Sequence, residues 1–377
     1  GGTCTLQASQ AGNGNYNVAP NVNQSFTVAK ASQTTTFSAL AGKTFGAAPF
    51  LVSASASSGL NVTFISTTTS VCTVSAATVT LTNGGTCTIR AAQAGNTSYL
   101  ATANVDQSFT VAKASQAITF GALTGRIYGG APFAVGATAS SGLVVTFAST
   151  TTTVCTVSGA TVTIRAAGTC AIQASQGGNS SFNAATSINQ SFAVAKAAQT
   201  LTFGALSNQT YGVAPFTVSA TASSGLAVTF ASTTTAMCTV SGTTVTVKAA
   251  GTCTLQVAQA GNTNYNAAIA VSQSFAIAAA NQTITFGTLA SKAYGSTPFV
   301  VSATASSGLS VAFSSTTAAV CTVSGASVTL VGPGTCSIQA IQGGNANYTA
   351  QHVGIQTFTV LVGSQTGRCS TVGNHTN

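Results

Sequence analysis

The residues of this chain best placed to do chemistry are its ten cysteines, and eight of them stand in a strict pattern. Cys72/Cys87, Cys155/Cys170, Cys238/Cys253 and Cys321/Cys336 are each 15 residues apart, and each pair follows the last after 83 residues. Thiols can hold a metal, attack a substrate or oxidise in pairs. A structural zinc site needs closely spaced ligands such as Cys-x-x-Cys. None occurs, and the two histidines, His352 and His375, both lie near the end of the chain. The pairs are expected to be disulfides, each inside its own repeat and on successive antiparallel elements. Closing such a loop stabilises by about 3 kcal/mol. Eight paired cysteines imply an oxidising compartment, which for this chain means an extracellular or cell-surface location. No metal or cofactor is expected.

Acid–base chemistry has almost nothing to work with. Asp106 is the single carboxylate side chain, and general acid–base catalysis needs a titrating group beside its substrate. A Ser-His-Asp arrangement would have to bring Asp106 to His352 or His375 across more than two repeats. The chain reads as a non-enzyme. Calcium clips, which need several carboxylates, are excluded by the same scarcity.

The formal charge of +9 does not read as a nucleic-acid surface. The cations recur thinly at the same phases: Lys30, Lys113 and Lys196; Lys43, Arg126 and Lys292; Arg165 and Lys248. Phosphate binding needs several of them converging on one groove. Charged residues make up only 3% of the chain, against about 25% in ordinary soluble domains. The polar surface must therefore be hydroxyls and amides. No apolar run approaches the ~20 residues of a membrane helix, so no membrane insertion is expected in this segment.

An invariant 83-residue period marks one small domain repeated head to tail. The frame gives residues 1–31 as the C-terminal part of a repeat and 32–114, 115–197, 198–280 and 281–363 as complete repeats. Residues 364–377 are a C-terminal tail. Within 198–280, strands are expected at Thr200–Phe203, Phe216–Ala222, Val228–Ala231, Cys238–Val240, Thr244–Lys248, Cys253–Ala258 and Gln273–Ile277. Seven short Val-, Thr- and Phe-rich strands with turn signals every 8 to 12 residues describe a β-sandwich. The in-phase rings Phe37, Phe120, Phe203 and Phe286, then Phe64, Phe147, Phe230 and Phe313, then Phe26, Phe109, Phe192, Phe275 and Phe358, read as core. Junctions such as Val111-Ala112-Lys113-Ala114-Ser115-Gln116-Ala117-Ile118 leave no flexible spacer.

The string Tyr-Gly-Val-Ala-Pro-Phe-Thr-Val-Ser-Ala-Thr-Ala-Ser-Ser-Gly-Leu at 211–226 resembles the tandem Ig-like repeats of large bacterial secreted and cell-surface proteins. Ala-Ala-Gly-Thr-Cys-Thr-Leu-Gln at 249–256 and Gly-Asn-Thr-Asn-Tyr-Asn-Ala-Ala at 261–268 do so too. The likeness covers residues 1 to about 363. It implies an all-β chain of tandem Ig-like seven-stranded β-sandwiches forming an elongated rod, as in stalks, adhesin shafts and wall-associated fibres. The chain departs from antibody-type domains, with no Trp and no cysteine pair on the second and sixth strands, so loop-based antigen-like binding is not carried over.

Two features concern partners. A loop in each repeat carries Tyr16, Tyr99, Phe182, Tyr265 or Tyr348 among Asn residues. Tyr16, Tyr99, Tyr265 and Tyr348 are the candidate glycan contacts, a ring on which a sugar could stack. The bland alternative is an aromatic that plugs the end of the sandwich. Cys4 and Cys369 fall outside the internal pairs and are the candidates for an intermolecular link. Ser364-Gln365-Thr366 repeats the register of Ser32-Gln33-Thr34. The tail of one copy could thus add an edge strand to the incomplete first domain of the next, giving a head-to-tail polymer. The plainer expectation, from Gly1 and the partial first repeat, is a longer or processed chain in which neighbouring domains fill that role. The functional reading is an extracellular structural protein, a stiff shaft or filament subunit; the alternative is a glycan-binding adhesin module using the Asn/Tyr loops.

Overall fold

The computed structural model describes residues 1–363; Cys369, His375 and the rest of the tail lie outside the described residues. Every regular element among the described residues is a β-strand. The chain divides into two compact units at Lys196/Ala197. The first holds an N-terminal hairpin and two sandwiches, and the second holds two sandwiches.

The repeat 198–280 shows the plan. Its four-stranded sheet runs Gln209–Thr210, Val271–Ala278, Gly251–Ala258, Thr229–Ser232. The facing layer pairs Phe216–Thr217, Thr244–Val247 and Cys238–Ser241, with Leu201–Phe203 against Ala220–Ala222. Alternation decides which side chains enter the core. Cys253, Leu255 and Val257 are fully buried on one strand, and Phe275 and Ile277 on its neighbour. Between the layers, Phe203 meets Phe230 at 5.7 Å and Phe216 meets Phe275 at 5.8 Å, both edge to face. The other three complete repeats hold the same sheet order and cores.

The structure corrects four expectations. The second strand is two pieces: Phe216–Thr217 pairs with Val245 and Thr244, while Ala220–Ala222 pairs with Phe203 to Leu201. One chain segment thereby serves two neighbours of the same layer. The segment 208–212, left outside the seven expected strands, contains the short strand Gln209–Thr210, which runs parallel to the last strand. The cysteines do not lie on successive elements, because Thr244–Val247 hairpins back on Cys238–Ser241 before the chain crosses to the opposite sheet. The bond therefore ties layer to layer. Phe26, finally, is 54% exposed. Residues 1–31 form only the hairpin Gly2–Gln10 with Ala19–Val28, without the facing ring that Phe50, Phe133, Phe216 or Phe299 supplies elsewhere.

Candidate functional site: the aromatic loop at the repeat junction

The disulfides Cys72–Cys87, Cys155–Cys170, Cys238–Cys253 and Cys321–Cys336 are present, with Cα separations of 5.6 to 5.7 Å. All eight residues are fully buried. Cys4 is a half-buried free thiol. No group of three or more His, Cys, Asp or Glu side chains among the described residues could hold a metal. A groove of about 800 Å³ beside the first sandwich, lined by Val52, Ala54, Leu60, Val62, Phe64 and Ala77, has no titratable side chain in its wall.

The organised polar chemistry is at the sandwich end that carries the aromatic loop. In the repeat 281–363 the strand Gly334–Gln342 ends on a glutamine whose Oε1 accepts the Gly344 N–H. Gly344 has φ +72°, and a Cβ there would lie 2.5 Å from the Tyr348 carbonyl oxygen, so glycine is required. Asn345 then closes the turn. Its Oδ1 accepts the N–H groups of Asn347 at 2.9 Å and Tyr348 at 3.0 Å, and its own N–H donates to the Tyr348 carbonyl at 3.0 Å. An Asn side chain mimicking backbone in this way fixes a loop without a strand.

A second glutamine locks that loop to the start of the same repeat. Gln282 is 2% exposed. Its Nε2 donates to Gln342 Oε1 and to the Thr349 carbonyl, each at 2.7 Å, and its Oε1 accepts the Ser307 hydroxyl. The arrangement recurs with Gln33/Gln93/Ser58, Gln116/Gln176/Ser141 and Gln199/Gln259/Ser224. Buried amides satisfied at both ends rigidify a site. Sequence reasoning missed these glutamines. The available signal was their fixed phase in the 83-residue period.

Each loop also grips the linker that enters its repeat. Ala280 bridges Tyr348 in parallel, its N–H donating to the Asn347 carbonyl at 2.8 Å and its carbonyl accepting the Thr349 N–H at 2.9 Å. The Tyr348 ring meets Tyr211 of the preceding repeat edge on, centroids 5.4 Å apart at 83°. Asn347 Oδ1 accepts the Ala250 N–H at 2.8 Å. In the first unit Phe182 meets Phe45 with the same 5.4 Å and 83°, and Ala114 makes the same bridge. Ser180 and Ser181 donate their hydroxyls to Asn83 Oδ1 at 3.2 and 2.8 Å. Tyr99 and Tyr265 are half-buried and bridge Ala31 and Ala197. Tyr16 is 75% exposed, on a loop built alike: Asn13 Oδ1 accepts from Asn15 and Tyr16, and Gln10 Oε1 from Gly12.

Three of the recurring cations have a local role. Lys43, Arg126 and Lys292 lie 5.0, 4.2 and 5.2 Å from the ring centroids of Phe50, Phe133 and Phe299, capping the second strand by cation–π attraction. Arg90 pairs with Asp106 through two hydrogen bonds of 2.8 and 2.9 Å. The hydrogen bond from Arg90, with its charge, holds the Asp106 carboxyl below its usual range.

No family model matches the chain, and no curated protein is similar to it. Among solved structures it is similar to Drosophila N-cadherin EC1-4, with TM-score 0.24 and 10% identity over 81% of this chain and 92% of that one. Surface layer protein SbsC, domains 1-6, gives 0.21 and 15% over 93% and 57%. The N-terminal eight Ig domains of Down Syndrome Cell Adhesion Molecule give 0.26 and 11% over 88% and 49%. The chain spans just over half of the SbsC fragment and about half of the eight-domain one. By its own sheet order, this is an all-β chain of tandem Ig-like sandwiches.

Proposed function

We propose that the chain is an extracellular structural protein, a stiff shaft or filament subunit. The observation that carries this reading is the junction inside each unit: an aromatic pair, a two-bond backbone bridge and an Asn contact, with no spacer between repeats. Such joints resist bending, because tilting one sandwich on the next must separate the rings and break the bridge together. One fully buried cross-layer disulfide stiffens each of the four beads from within. Negative-stain electron microscopy of the chain tests it: straight strings of beads are expected, and freely jointed beads would remove the shaft.

Head-to-tail association belongs to the same proposal. The hairpin of residues 1–31 leaves Leu6, Val22, Phe26 and Val28 exposed, an apolar face of the kind that strand addition covers. The adhesin alternative draws on the open Tyr16 ring and the half-buried Tyr99 and Tyr265, since Tyr348 spends its ring on the junction. A glycan array separates the two, and the shaft reading expects no specific binding.

A further inference from the structure

Four sheet edges bound each complete sandwich, and three of them are blunted. The two-residue edge Lys43–Thr44, Arg126–Ile127 or Lys292–Ala293 carries a cation in three of the four complete repeats. On the facing layer, the Leu201–Phe203 edge has its Phe203 carbonyl taken by Gln273 Nε2 at 3.0 Å. The Cys238–Ser241 edge donates its Cys238 N–H to the Thr234 carbonyl at 3.1 Å. Both bonds recur in the other complete repeats. Proteins protect edges by such means because an open edge pairs with another chain.

The fourth edge, Thr229–Ser232, has no such device. It closes the order of its four-stranded sheet, pairs with Gly251–Ala258 in unbroken register and holds neither a charge nor a proline. Thr233 N–H donates to the Thr254 carbonyl at 3.0 Å, which fixes the alternation of the ladder. Thr229 and Ala231 bond inward, while Phe230 and Ser232 point N–H and carbonyl out of the sheet. Thr63–Ser66, Thr146–Ser149 and Ala312–Ser315 have the same pairing and the same alternation. The openness does not come from the ends of the chain, since 115–197 and 198–280 each have a complete repeat before and after them. Nor does the adjoining repeat of a unit cover the edge, because the Ala114 and Ala280 bridges hold that repeat at the end of the sandwich.

We infer that this edge pairs antiparallel with the same edge of a second copy, continuing the four-stranded sheet from one molecule into the next. The occupant follows from the spacing of the free groups. Two outward residues with one inward residue between them are matched by the same triplet reversed. Phe230 then faces Ser232 of the second copy, Ser232 faces its Phe230, and each facing pair exchanges both bonds. The twofold axis passes through Ala231, an exposed methyl that meets its own copy where Cα atoms approach to about 4.5 Å. Ile65, Ala148 and Ser314 hold that position in the other repeats, and all are uncharged. Arg90, on the strand beside Ile65, is neutralised by Asp106. The contact is lateral and goes beyond the shaft reading, standing whether single chains are stiff or jointed.

Hydrogen exchange resolved to single amides tests this on the whole chain, beside sedimentation velocity, from dilute solution to about 100 μM. Association should rise with concentration, and the Phe230 and Ser232 amides should slow about tenfold or more as it does. The Thr233 amide, already bonded within its own sheet, should not change. The variant Ile65→Lys/Ala148→Lys/Ala231→Lys/Ser314→Lys sets like charges face to face, and should weaken association about tenfold or more and abolish the protection. Its Thr233 amide reports whether the fold is kept; if it is not, the concentration dependence in the unchanged chain decides alone. Association that leaves the Phe230 and Ser232 amides fast overturns the contact, as when the ends of the chain mediate it. So does association unchanged in a folded lysine variant, or none at all over that range. Straight, unpaired rods by electron microscopy would leave the shaft reading in place and remove this surface alone.

Discussion

Replacing Gln282 with alanine probes the most buried of the four glutamine networks that hold the aromatic loops. The substitution removes two donated bonds of 2.7 Å, to Gln342 and to the Thr349 carbonyl, and the acceptor for the Ser307 hydroxyl. Gln342 Oε1 keeps the Gly344 N–H, so the groups left short are the Thr349 carbonyl and the Ser307 hydroxyl. Gln282 is 2% exposed, and the two stranded groups set a cost of about 2–4 kcal/mol. A chain of several domains does not unfold in two states, so the readout is local. Hydrogen exchange of the amides 344 to 348 should quicken about 30- to 1000-fold, the same free energy expressed as an opening constant. The half-buried Gln33 offers an internal comparison, because water can partly replace its bonds. Gln33→Ala should accelerate the amides 95 to 99 by a smaller factor. Equal effects at the two sites, or less than about a threefold change at Gln282, would refute the view that these glutamines hold the loops.

Three further outcomes follow from the same structure. Stability should be nearly flat from pH 7 to about pH 4 and fall little below it, because Asp106 is the single acidic side chain. Its folded pKa is lowered by Arg90, so its contribution is complete above the ordinary carboxylate range and disappears as pH falls through the lowered value; thermal melts across pH 2–7 read this directly. Cys238→Ala/Cys253→Ala should cost the third repeat about 2–5 kcal/mol, seen as early protease cleavage between 198 and 280, whereas reductant alone should act slowly on sulfurs with no exposure. Ala76 has φ +55°, where the equivalent Gly159, Gly242 and Gly325 have +58° to +59°; Ala76→Gly should stabilise the first complete repeat by about 1 kcal/mol, and slower exchange of the Ser75 and Thr78 amides would show it.

The sequence made the strands legible because burial in a sandwich imposes a period of two, and the 83-residue repeat supplied several copies of each pattern. What escaped was the routing between layers. The break after Thr217 and the parallel Gln209–Thr210 pair depend on which neighbour a strand finds, and nothing in alternation encodes that. The cysteine spacing likewise gives a pair but not that its members lie on opposite sheets, although a strand was expected between them at 244–248. At the junction, the aromatic was visible at once and its partner was not, since Phe45 and Phe182 lie in different repeats. The glutamines were hidden by composition: in a chain so rich in amides, a buried Gln looks like any surface Gln until its period is noticed. Phe26 shows the converse, a core residue by pattern that lacks the facing half of its core.

Small-angle X-ray scattering of the dilute chain tests the central claim most directly. Four complete sandwiches of about 35–45 Å each, joined without spacers, predict a rod of roughly 150–180 Å and a radius of gyration of about 45–50 Å. A compact particle of this length would give about 21 Å. A pair-distance distribution with a long linear tail ending near the rod length is the result expected of a shaft. A symmetric peak with a radius of gyration near the compact value would contradict it.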